Sequence, residues 1–425
     1  MRQRSRQTLY AAVAACLSLL AAPHASAQGD LTGGVGQFAI QPKKPKAVVT
    51  AKPKPPTVVK GLRATKNDKL LDAASRGDAS AVAGSVKAGA DVNVKSKEGC
   101  AALVYVAAGA TAAAQELLAK GADANARCTD GVSALMVAAE AGNAETVQAL
   151  VGRGADVNAR TEDGRTALIF AASNGQLAVV RALLAAGANP NARYKDGRTA
   201  LTFAAANGYA AVAEELLAKG AEVDSRAEDG WTPLLWASWF GQADVVNLLL
   251  SRGANVSARD NDKDTPLMKA ATQGHLDLVK LFLARGAEAD ARGNGGGTAL
   301  LFAAPRPGGY DIIEALMAKG ADVNVSNDAG ITPVISAAAN GRVPTLDLLL
   351  QKKANANAHT PKGWTALIAA AQKGLKESVK LLLENGADVN AKYEDGRTAL
   401  DFAEQNGQTA VVEILKAAGG KSGKP

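Results

Sequence analysis

Two short apolar stripes of helical spacing alternate along most of this chain, separated by glycine. The segment from Asp163, DGRTALIFAASNGQLAVVRALLAAGANPNAR, shows the pattern. Leu168, Ala171 and Ala172 fall on one helical face, and Thr166 stands where a hydroxyl would cap the first turn. Gly175 ends that helix, because a residue without Cβ enters the left-handed region at no cost. Leu177, Val180, Leu183 and Leu184 then recur at helical spacing, predicting a second helix that closes at Gly187. The polar run after it leads into a turn at Asp196-Gly197, the tip of a finger. Alanine where the two helices meet lets them approach closely, so each unit is thin and cannot bury its own apolar face.

The pattern returns at Glu98, Asp130, Asp163, Asp196, Asp229, Asp262, Gly295, Ala329, Lys362 and Asp395, at intervals of 32 to 34 residues. A degenerate half-unit precedes them from Lys69. Self-similarity at this period is a solenoid signature, and over residues 66–419 the chain resembles the ankyrin-repeat family. The resemblance implies an all-α solenoid of helix-turn-helix units with β-hairpin-like fingers. It also implies a protein partner, met on the concave face formed by fingers and inner helices. One departure is consistent. The family motif Thr-Pro-Leu-His keeps no histidine here, its place being taken by Val104, Met136, Ile169, Thr202, Leu235, Met268, Leu301, Ile335, Ile368 and Asp401. Eight of these are apolar, so packing replaces the polar linkage that the family's imidazole provides.

Two places look soft. Lys353 stands where other units have glycine, and a left-handed lysine there would cost about 1–2 kcal/mol. The seventh unit has a glycine-rich finger at 293–297 and an enlarged turn, Pro305-Arg306-Pro307-Gly308-Gly309. The solenoid is expected to open most easily around 293–310. Hydrogen exchange should be faster there than over 163–226, and equal protection would exclude the idea.

Composition matters mainly at the ends. Aromatic residues are 4% of a chain that is 47% hydrophobic, which suits thin alanine-rich layers. The net charge of +7 would raise nucleic acid as a partner. However, residues 1–69 hold twelve basic and two acidic residues, whereas the remainder holds 36 and 39. The array is close to neutral, and nucleic acid is not expected. Arg2, Arg4 and Arg6, an apolar run from Leu9 to Ala22 and small residues at Ala25-Ser26-Ala27 read as a secretory signal over 1–27, cleaved after Ala27. A second reading processes the chain at Val13-Ala14-Ala15-Cys16 and leaves Cys16 lipidated. Residues 28–60 form a Lys/Pro-rich linker, a spacer or a basic tether to anionic surfaces. The array then occupies 61–419, and 420–425 is a flexible tail. The expected location is the bacterial periplasm or the exterior.

No catalytic set assembles. Of three histidines, His24 lies in the leader, while His275 and His359 are far apart and lack cysteine partners at ligand spacing. Asp260-Asn261-Asp262-Lys263-Asp264 resembles the start of a calcium loop, but Ala271 stands where its bidentate glutamate should be. The finger glycines have neither the lysine nor the strand of a phosphate loop. No enzyme activity, cofactor, metal site or small-molecule substrate is expected, and the chain is read as a monomer. Cys100 and Cys128 flank successive fingertips, and disulfide and free thiols both remain open.

The partner face offers three features. Tyr105, Phe170, Phe203, Trp236, Phe302 and Phe402 share one position in their units, a stripe read as core rather than as a track. Arg127, Arg160, Arg193, Arg226, Arg259 and Arg292 form a comb, which Asp130, Asp163, Asp196, Asp229 and Asp262 are expected to neutralise. The fifth unit holds Trp231, Trp236 and Trp239 within nine residues. Trp239 and Phe240 replace Ser173-Asn174, Ala206-Asn207 or Thr272-Gln273 of sister units, positions read as solvent-facing. Exposed aromatics there have the composition of a binding hot spot; packing on each other or under the next unit is the competing reading. The candidate contact set is Trp231, Trp236, Trp239, Phe240, Phe203 and Lys269.

Overall fold

A computed structural model describes residues 65–423. The leader, Cys16 and the linker expected over 28–60 lie outside the described residues.

Among the described residues, twenty-two α-helices follow one another in pairs, from Lys66–Ser75 to Thr409–Ala417. First helices pack on first helices of neighbouring units, and second helices on second helices. The described residues contain no strand. The fingers are turns, three of them closed by a single antiparallel bridge: Lys95 to Ala101, Arg127 to Ser133 and His359 to Thr365.

Local chemistry accounts for most first-helix boundaries. The Thr166 hydroxyl accepts the Ile169 amide at 3.3 Å, and Thr232, Thr265, Thr298, Thr332 and Thr365 cap their own first helices likewise. Pro233, Pro266 and Pro333 follow three of these caps at the first helical position, where no amide hydrogen is needed. Leu168, Ala171, Ala172, Val180 and Leu183 are fully buried, as the spacing predicts, while Leu177 is half-buried and Val179 joins the core. Gly241 at the end of the fifth first helix has φ +73°, and a Cβ there would meet the His275 ring at 2.5 Å. The turn glycine thus serves both the left-handed backbone and the close approach of the next unit. Two lysines stand in glycine-type positions. Lys353 has φ +65°, as expected, and Lys263 has φ +60° at the sixth fingertip.

Polar linkage between units is present, but on residues other than the family's histidine. One ladder runs on asparagine. Asn158 Oδ1 accepts the Asn189 amide at 2.8 Å, and its Nδ2 donates to the Gly187 carbonyl at 3.1 Å. Asn125, Asn191, Asn357 and Asn390 do the same one unit at a time. Asp224 and Asp290 accept but have no hydrogen to donate. The second ladder is the arginine comb. Arg193, Arg226 and Arg259 each donate to the carbonyl of the arginine 33 residues further on, at 2.8 Å. Arg160 and Arg292 make equivalent bonds to Arg193 and Ser326. This corrects the expected neutralisation, because a guanidinium reaches the next unit's carbonyl in register. The fingertip aspartates bond within their own finger: Asp163 to Arg165, Asp196 to Arg198, and Asp229 to the Trp231 amide.

The seventh unit is irregular, as expected. Its first helix is cut to Ala299–Ala303, and Gly308 has φ +73° in the enlarged turn. The turn is also tied on both sides, by Arg306 to the Gln273 carbonyl at 3.0 Å and by Arg342 Nε to the Pro305 carbonyl at 2.8 Å.

Within the flexible tail expected over 420–425, residues 421–423 are hydrogen-bonded to the last unit, and 424–425 lie outside the described residues. The Lys421 amide donates to Asn390 at 2.8 Å and the Gly423 amide to Asp401 at 2.8 Å, and Thr398 donates to the Lys421 carbonyl at 2.8 Å. Burial alone would raise the Asp401 pKa, but hydrogen bonds from the Ser422 hydroxyl, the Thr398 and Gly423 amides and the Thr398 hydroxyl hold it at about 2. A depressed carboxyl stabilises the fold above its ordinary pKa and loses that contribution as pH falls through its folded value. Asp401→Asn is therefore expected to lower stability by roughly 2 kcal/mol above about pH 4, and by little near pH 2. Denaturant titrations across that range check it.

Candidate binding site

The fifth unit's first helix, Pro233–Phe240, begins at the Thr232 cap and carries Trp236, with Trp239 and Phe240 one turn further on. Trp231, Leu235, Trp236 and Trp239 form one buried cluster, with Ala206 of the preceding unit packed against it. Ring centroids lie 5.0 Å apart for Trp231 and Trp236, and 5.8 Å for Trp231 and Trp239. Trp239 is only 7% exposed, whereas Phe240 is 46% exposed and stacks on Trp236 at 6.2 Å.

This separates two residues that the sequence reading placed together. Trp239 is core rather than solvent-facing. Its sister positions, Ser173, Ala206 and Thr272, are half-buried, and an indole at such a position extends over Ala206 and closes the gap. The Trp239 carbonyl is hydrogen-bonded to His275 Nε2 at 3.1 Å, so that histidine links two units. Of the two, Phe240 presents the large apolar surface, and it is the most exposed of the large hydrophobic residues among the described residues, ahead of Tyr310 and Tyr209. Phe203 and Trp236 belong to the buried stripe with Phe170 and Phe402, while Tyr105 and Phe302 are half-buried.

The sequence reading missed the cations that lie over this stripe. Arg165 sits 4.8 Å from the Phe170 centroid, Arg198 4.9 Å from Phe203 and Arg397 4.1 Å from Phe402. Arg198 also lies 5.3 Å from Trp236 and 5.5 Å from Tyr194, bridging two units. A signal was available, since each arginine falls two residues after the finger aspartate and five before its aromatic residue.

The sixth unit inverts this arrangement. Asp264 stands in the arginine position and Lys269 in the aromatic one. Lys269 is 1% exposed, with Nζ 2.6 Å from Asp260 and 2.8 Å from Asp264. The Trp231 ring lies 4.6 Å from the same nitrogen. The ammonium occupies the space between the carboxylates of the calcium-like run. Among the described residues, no three His, Cys, Asp or Glu side chains gather as metal ligands. Burial pushes the Asp264 carboxyl up; Lys269 pulls it down, and Asp260 and Asp262 oppose that pull, leaving it above the ordinary value. Far from this cluster, Cys100 and Cys128 form a disulfide, with Cα atoms 4.0 Å apart.

Stacked two-helix units, turn fingers and an aromatic and cationic finger face define a helical repeat solenoid. A family model described as ankyrin repeats matches six overlapping segments, 70–161, 106–194, 168–260, 255–327, 300–393 and 334–422. The chain belongs to the ankyrin-repeat family. No curated protein matches its sequence. Ankyrin repeats are generally protein–protein interaction modules.

Proposed function

We propose that this protein is a non-catalytic scaffold that binds a protein partner on its finger and inner-helix face, centred on the fifth unit. The observation that carries the reading is Phe240. It is a half-exposed phenylalanine where sister units place Asn174, Asn207 or Gln273, and it rests on the buried Trp236 platform. An exposed aromatic on a rigid base loses little side-chain freedom on binding and makes a large desolvated contact. Arg198, itself buried, lies 5.3 Å from the Trp236 ring and belongs to the platform under Phe240. Buried Trp231, Trp236, Trp239, Phe203 and Lys269 act as the support beneath the contact.

Export to an oxidising compartment is part of the proposal. It rests on the leader sequence and on the Cys100–Cys128 disulfide, a bond that persists where thiols are not kept reduced. The alternative, an envelope component held by the basic linker or by lipid on Cys16, predicts retention in the membrane fraction. Sensitivity of processing to a lipoprotein-peptidase inhibitor tests that alternative.

Phe240→Asn should weaken partner capture by roughly tenfold or more while moving stability by less than about 0.5 kcal/mol. Quantitative affinity capture with wild type and variant, beside their thermal melts, decides it. Equal capture would move the contact away from the fifth unit.

A further inference from the structure

In four units a finger residue and the residue five positions later form a packed pair: Arg165 with Phe170, Arg198 with Phe203, Trp231 with Trp236, and Arg397 with Phe402. Each pairs an aromatic ring with a cation or a second ring. Only the sixth unit's equivalent, Asp264 with Lys269, is an amine against a carboxyl. Asp260 brings a second carboxyl to the same nitrogen, at 2.6 Å. The side chains of Lys269, Asp260 and Asp264 are 1%, 1% and 6% exposed, and Trp231 covers the nitrogen. Three ionised groups shut away from water, with an excess of negative charge, form a costly arrangement. Amine, acid and base held at contact distance, with water excluded, are also the components of amide formation.

We propose that Lys269 and Asp264 become joined by an amide between Nζ and Cγ, with Asp260 as the catalytic base. The Lys269 ammonium first gives a proton to Asp264, leaving a neutral amine against a neutral acid. A low-dielectric enclosure favours that exchange, and burial already holds Asp264 towards its protonated form. The amine lone pair attacks Cγ. Asp260 Oδ2, which has no hydrogen-bond partner other than this nitrogen's ion pair, takes the proton that the nitrogen sheds. It returns that proton to the departing hydroxyl of Asp264, the C–O bond breaks and one water leaves. Ammonium plus carboxylate become amide plus water, with no oxidant or co-reactant. The remaining N–H donates to Asp260 Oδ2, while Asp260 Oδ1 keeps the Asp262 and Asp264 amides at 3.0 and 2.8 Å. One buried charge remains in place of three. The sixth finger, which turns through the left-handed Lys263, is then bolted to its own first helix beside Trp231.

Peptide mass spectrometry on the full chain tests this. The expected result is a looped peptide, lighter by one water, that yields no backbone fragments from between Asp264 and Lys269. Lys269→Met should give the unmodified mass. Asp260→Asn retains both joined residues and should lower the linked fraction at least about tenfold. A wild-type peptide at its full mass in the folded, aged protein overturns the proposal, whatever the variants do. So does a water loss that survives in Lys269→Met, or one that mild base reverses, which would mark a succinimide instead of an amide.

Discussion

Replacing Trp239 by serine is expected to destabilise the array by about 3–5 kcal/mol, the cost of emptying a large aromatic site in a core that cannot fully collapse. The indole is 7% exposed, meets Trp231 at 5.8 Å and lies over Ala206 of the preceding unit. Its removal therefore opens the contact between the fourth and fifth units as well as the fifth unit itself. A solenoid is stabilised by nearest-neighbour interfaces, so the damage should be concentrated there. Hydrogen exchange should show faster opening of the first helices Ala200–Asn207 and Pro233–Phe240, and denaturant melts should lose cooperativity. The neighbouring Phe240→Asn is the control. A stability loss as large as that of Trp239→Ser would place Phe240 in the core too, and a negligible loss for Trp239→Ser would return that residue to the surface.

The contrast between these neighbours shows where the sequence was legible. Most first-helix boundaries could be read because they have a local chemical cause, such as the Thr166 cap or the positive φ of Gly175. The same logic located Lys353 as a left-handed lysine. Burial at a helix end is not local. Ser173, Ala206 and Thr272 are half-buried because they are small, and substituting tryptophan changes what the position touches. The arginine comb failed for a related reason: charge pairing was inferred from sequence periodicity, but a guanidinium selects the carbonyl within its reach. The Lys269 cluster was visible as an acidic run, and its meaning depended on one lysine from the following helix turning back between two carboxylates. The asparagine ladder repeats with the units and was readable in principle, yet asparagine near turns has many uses and only the stacking distinguishes them.

Reducing the Cys100–Cys128 bond is expected to lower the stability of the N-terminal end by about 3–4 kcal/mol, the chain-entropy value for a loop of this length. The bridge spans 28 residues and joins the first and second fingers. The same junction is also tied by the Asp123 amide, which donates to Asn93 at 2.8 Å, and by the Thr129 hydroxyl, which donates to the Glu98 carbonyl at 3.0 Å; the carbonyl-bonded comb starts only at Arg160. The first unit's helix is reduced to Ala102–Val106, and Ala101 at its cap has no side chain able to accept a hydrogen bond. The disulfide thus stands where later units have an arginine strut and a threonine cap. Since each unit touches only its neighbours, the loss should stay local. Under reductant, or in Cys100→Ser, amides over 66–119 should exchange faster while those over 200–285 keep their protection. Uniform loss of protection along the array would mean that the end unit controls the whole solenoid, and no loss at all would mean that packing of Leu103, Val104 and Leu117 holds the end without the bond.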